Sequence, residues 1–142
     1  MNRHELREQV FRLLFRVEFH APEDMPRQID SYFEDPELSI SEKNEEYITK
    51  RCELVREKLP EIDRMLSEKS EKWEISRIGK VELAILRLAA YEILFDEDIP
   101  DSVAINEAVE LAKTYGQESS GAFVNAVLAK FLRDKSVETK EN

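Results

Sequence analysis

Four arginines fall within the first sixteen residues, Arg3, Arg7, Arg12 and Arg16, against two acids, Glu5 and Glu8. A guanidinium is a planar, permanently charged fork of donors that suits phosphates and carboxylates. The segment carries a local charge of +2 in a chain of formal net charge −10, so the remaining residues sum to −12. A basic head on an acidic body points to an anionic ligand at one end and a cationic partner elsewhere. The same arginines also fit a first helix with a merely solvated face. Phe11, Phe15 and Phe19 recur at intervals of four in this segment. On a helical wheel they lie on a line displaced from the arc of Leu6, Val10, Leu13, Leu14 and Val17, the predicted core face. A phenylalanine line off the core face either packs within the chain or is kept for a partner.

Reaction chemistry has little material. The chain has 2 His and 1 Cys, with no HExxH or CxxC spacing, and His4 and His20 are too far apart to be a local metal pair. No catalytic residue, metal or cofactor is expected, and the chain reads as a non-enzyme. Cys52 sits at a helical core spacing and reads as a small hydrophobe. A single cysteine forms no internal disulfide, which fits a reducing, cytoplasmic setting. No apolar run approaches the roughly 20 residues of a membrane span, and the first residues lack a signal-peptide core.

The elements that position these side chains read as helices. Charged residues make up 37% of the chain, with 3 Gly and 5 Pro among 142 residues, which favours solvated helices in a single domain over residues 1–134 with a charged, fraying tail at 135–142. Asn2 and Glu5 form a capping-box pattern for a helix from Arg3 to about His20. A short helix is predicted near Pro26–Phe33. Ser39 with Glu42 marks the start of a third, carrying Tyr47, Ile48, Cys52, Val55 and Leu59, and Pro60 interrupts or restarts it. The Glu- and Lys-rich stretch 41–72 reads as a solvated face. Val81–Phe95 is apolar nearly all round, the mark of a central buried helix. Arg87 and Glu92 interrupt it and must be paired where they point inward, with Glu107 a candidate partner. Asn106 reads as the N-cap of a helix to Tyr115, Gly116 as a left-handed C-cap, and Ser119 or Ser120 opens the last helix. About seven helices in an all-α fold are predicted.

Three blocks in order carry a resemblance: L-R-L-A-A-Y-E (Leu86–Glu92), I-N-E-A-V-E-L-A-K (Ile105–Lys113) and F-V-N-A-V-L (Phe123–Leu128). With W-E-I-S-R-I-G-K from Trp73, they resemble the NusB family of transcription antitermination proteins. The resemblance implies two packed, perpendicular helical bundles sharing the first helix. It also implies pairing with ribosomal protein NusE, recognition of boxA-type single-stranded RNA, and modification of the RNA polymerase elongation complex on ribosomal RNA operons. The fold also leads some RNA cytosine methyltransferases, whose further domain 142 residues would not hold.

By the same resemblance, the RNA segment maps onto Asn2, Arg3, His4, Glu5 and Arg7, where Glu5 is an acid at a usually basic position. Phe123 matches an aromatic position near the family's RNA surface, with a core role the alternative. Phe15, Phe19 and Glu82 match NusE contacts. The acid before the last helix stands at Glu118 rather than at Ser119, and Ser76 stands where some relatives carry a carboxylate. Trp73 reads as packing between bundles. The diluted arginine segment keeps open a protein-only scaffold that binds NusE, ribosome or polymerase without RNA readout. Both monomer and homodimer stay open.

Overall fold

The computed structural model describes residues 1–69 and 75–141; Trp73 lies outside the described residues. The regular elements among them are all helical. The chain forms two compact units, Met1–Glu57 and a second from Lys58 onward.

The first unit holds α1 (Arg3–Phe15), α2 (Met25–Phe33) and α3 (Glu42–Glu57). Asn2 opens α1 as its spacing predicts. Its Oδ1 accepts from the Glu5 backbone N–H at 2.8 Å, and Glu5 Oε1 accepts from the Asn2 N–H at 3.5 Å. The helix does not run to His20. Residues Arg16–Phe19 tighten into a three-ten turn, a common ending for an α-helix. His20 and Ala21 are then extended, with ψ of 148° at both; at Ala21 this follows from Pro22, which crowds the α conformation of the residue before it.

Ser39 is not the cap of α3. It sits in the preceding loop with φ 41°, and Ser41 Oγ accepts from the Asn44 N–H at 3.3 Å. Glu42 therefore begins the helix instead of closing a capping box. Ile48, Cys52 and Val55 are fully buried as their spacing predicts, whereas Tyr47 is exposed beneath Arg51. Unit one's core comprises these residues with Val10, Phe11, Leu13 and Leu14 of α1 and Met25, Ile29 and Tyr32 of α2.

The second unit holds α4 (Leu59–Lys69), α5 (Lys80–Phe95), α6 (Asp101–Tyr115) and α7 (Ser120–Glu141). Pro60 restarts the chain as a new helix: it lies in the first turn of α4, where its missing N–H costs nothing. Every residue of α5 from Leu83 to Ile93 is buried, and α5 packs on α4, α6 and α7. It is the central helix of this unit. Arg87 is reconciled with its burial by Asp63 of α4, whose carboxylate it grips with two bonds of 2.9 and 2.8 Å.

Two expectations at α6 need correction. The helix begins at Asp101, not after Asn106. Pro100 fixes the entry, and its carbonyl accepts from the N–H groups of Val103 and Ala104. Gly116 is not left-handed, with φ −96° and ψ −164°. Its glycine is needed for space instead: a Cβ there would lie 2.6 Å from Ser120 Oγ and 2.8 Å from the Ala112 carbonyl oxygen.

Candidate nucleic-acid and partner interfaces

At the N-terminal tip, Asn2, Arg3 and His4 are exposed. The capping box that holds them in place also explains the unexpected acid. Glu5 turns back to the Asn2 backbone, so the residue at the usually basic position is spent on starting the helix. Arg7 keeps only 9% of its surface exposed. Its burial follows from the wheel. Arg7, Gln9, Val10, Phe11, Leu13 and Leu14 are all buried, and at 100° per residue they span an arc of roughly 200°. Arg7 lies well inside this arc. The tip thus presents Arg3 and His4 more openly than Arg7.

The same arc corrects the aromatic line. Phe11 is 2% exposed and belongs to the core, because it stands on the arc's edge and the arc is wider than the one apolar face assumed. Phe15 is half-buried, and Phe19 is 56% exposed. The line therefore reduces to a pair whose ring centroids lie 5.1 Å apart at 59°, within the range of favourable tilted contacts.

Beside this pair sits a cluster that sequence reading did not single out. Tyr32 of α2 is buried, and its hydroxyl donates to the buried Gln9 Oε1. The guanidinium carbons of Arg12 and Arg16 lie 5.7 and 5.2 Å from its ring centroid. Arg16 Nη1 also donates to Gln28 Oε1 at 3.2 Å. Burial pushes the Tyr32 hydroxyl above its ordinary pKa, and the two arginines pull against it. The spacing of Arg12 and Arg16 was visible, but their pairing with a residue on another helix was not.

In the second unit, Glu82 lies in the first turn of α5, where a carboxylate complements the helix dipole. A Cβ at Gly79 would overlap the Glu82 carboxylate, so glycine leaves it room. Glu82 Oε1 accepts from Ser120 Oγ at 2.5 Å, and Ser120 Oγ accepts from the Gln117 N–H at 2.8 Å. This relay ties the start of α5 to the α6–α7 turn, which displays Glu118 and Ser119 in solvent. The predicted residues Glu82, Glu118 and Ser119 are thus brought to one locality, through Ser120. Sequence reading weighed Ser120 only as a helix start. Phe123, in the first turn of α7, is half-buried and not a core residue. Ser76 is exposed.

Among the described residues, no group of three His, Cys, Asp or Glu side chains is placed to hold a metal ion. No helix among them is long and apolar enough to cross a membrane. What the surface offers is cations, amides and rings on helix ends, the equipment of an all-helical binding domain.

The chain belongs to the NusB family, whose profile matches residues 4–133. It is 50% identical over 132 residues to a transcription antitermination protein NusB of Lachnoclostridium phytofermentans, covering 93% of this chain and 99% of that one. Among solved structures, NusB of T. maritima is 38% identical with a TM-score of 0.79, covering 92% of this chain and 89% of that one. A chain in the crystal structure of antitermination factors NusB and NusE with double-stranded RNA is 25% identical with a TM-score of 0.76. That match covers 94% of this chain and 99% of the other.

Proposed function

We propose that the protein is a cytoplasmic, non-enzymatic antitermination factor that pairs with NusE, recognises boxA-type RNA and modifies elongating RNA polymerase on ribosomal RNA operons. The carrying observation is that nearly the whole chain matches antitermination proteins, one of them solved with NusE and RNA. In this reading Asn2, Arg3, His4 and Arg7 meet phosphates and Phe123 stacks a base. Phe15, Phe19, Glu82, Glu118 and Ser119 meet NusE.

The tip geometry sets a low ceiling on RNA affinity for the chain alone. Two or three phosphate contacts give a salt slope of roughly −1.4 to −2.1 on a single strand. Such a term works against an acidic body, so useful affinity requires the partner. The test is fluorescence binding of a boxA-like strand, single- and double-stranded, with and without NusE across salt. Cooperative tightening on adding NusE supports the reading; an affinity that NusE leaves unchanged at every salt concentration refutes it.

The burial of Arg7 and the engagement of Glu5 in the cap favour a second reading, a protein-only scaffold. Calorimetry that finds tight NusE binding with no contribution from RNA selects it.

A further inference from the structure

We propose that Arg12 and Arg16 form a preorganised cation pair that binds a carboxylate of the partner protein beside the Phe15–Phe19 rings. The inference rests on the reading of Phe15 and Phe19 as partner-facing and names the chemistry that the partner must bring there.

Three observations carry it. The first is fixation. Both guanidiniums lie over the Tyr32 ring, which is itself buried and bonded through its hydroxyl to Gln9, and Arg16 is held further by Gln28. A guanidinium already placed gives up little rotamer freedom when it is engaged, which is how preorganisation raises affinity. The second is availability. Among the described residues, neither arginine has a carboxylate within ion-pair distance, in a chain where 31 acids face 21 Lys and Arg. The third is continuity. Arg16 stands between Phe15 and Phe19 in the chain, and Arg12 is exposed one turn before it. Arginine and aromatic side chains at one place are the usual composition of a binding hot spot.

The occupant is a protein acid, not an RNA phosphate. On the outward strip of α1, Glu5 and Glu8 lie between the tip and Arg12, on the path a strand would follow from Arg3 and His4. They repel a phosphate backbone, whereas alternating charge suits a protein surface, where it fixes register.

The test uses the full chain and NusE. The variant R12Q/R16Q keeps helix-forming polar side chains at both positions, and circular dichroism checks the fold. NusE titration at low salt is expected to show about tenfold weaker binding than the unmodified chain, from two partly exposed charge pairs. The deficit should shrink as salt approaches 1 M, where the Debye length is about 3 Å. In R12K/R16K, carbodiimide should couple a lysine amine to an Asp or Glu of NusE. Unchanged NusE affinity in R12Q/R16Q, while F15A/F19A abolishes binding, overturns the inference alone. So does a loss confined to RNA affinity, which would assign the pair to phosphate. Full NusE affinity in F15A/F19A overturns instead the partner-facing reading on which the inference stands.

Discussion

Replacing Asp63 by Ala removes both bonds that Arg87 makes to its carboxylate, at 2.9 and 2.8 Å. The arginine side chain is only 8% exposed and cannot recover water in exchange, whereas the aspartate is 28% exposed. Breaking a wholly buried pair costs roughly 3–5 kcal/mol, and an exposed pair contributes about 0–1. With one partner buried and the other at the margin, the loss should be about 2–3 kcal/mol. For a chain of this size the urea dependence is about 2 kcal/mol per molar, so the unfolding midpoint should fall by about 1–1.5 M. The double variant Asp63→Leu/Arg87→Met should recover most of that loss, since a packed apolar pair often substitutes for a buried ionic one. The assay is urea unfolding followed by circular dichroism, with NusE affinity measured in the folded range. A loss below about 0.5 kcal/mol for Asp63→Ala would refute the reasoning. So would an unchanged unfolding midpoint with lost NusE binding, because Arg87 would then serve a binding surface and not the packing of α4 on α5.

Gly116→Ala should destabilise the second unit by about 1–3 kcal/mol, the usual cost of overpacking. It should also weaken NusE binding by displacing Ser120 from Glu82, and thermal unfolding with titration checks both. Burial pushes the Cys52 thiol up to about 12, so it should stay unreactive towards a thiol reagent at pH 8 until the chain unfolds. The unfolded thiol ionises near 9 and the folded one near 12, so this group's contribution to stability is intact below pH 9 and is lost as pH rises towards 12. Cys52→Ala should flatten that part of the stability profile relative to the unmodified chain. Phe123→Ala should cost RNA binding on the order of 1–3 kcal/mol if the ring stacks on a base, with NusE affinity unchanged in the absence of RNA.

Local rules carried most of the fold. The Asn2–Glu5 pattern placed the start of α1, the apolar run 81–95 marked α5 as buried on most sides, and Pro60 marked the α3–α4 junction. The failures have different causes. A wheel at fixed pitch assumes one buried face and one helix type, so it misassigned Phe11 on a helix buried over more than half its circumference. The capping box at one end and Pro22 at the other left α1 running to about His20, through residues that tighten at Arg16. Asn106 is no cap because Pro100, six residues before it, already sets the entry. The candidate sites were legible only where a single segment spells them. Asn2, Arg3 and His4 lie at an exposed tip as read, yet the burial of Arg7 depends on the whole unit. Ser120 bridging to Glu82, Asp63 meeting Arg87 and Tyr32 beneath two arginines join residues distant in the chain, and no local spacing announces such pairs.

The wide submerged arc of α1 has a consequence for how its contacts can vary. Only a ribbon of roughly 160° faces outward, and it holds His4, Glu5, Glu8, Arg12 and Phe15, with Arg16 in the turn that follows. Glu5 is committed to starting the helix, so the remaining vocabulary for choosing a companion is about five side chains. Specificity drifting in evolution, or altered by an engineer, has to be rewritten within that short text, while changes on the opposite side are registered first as instability.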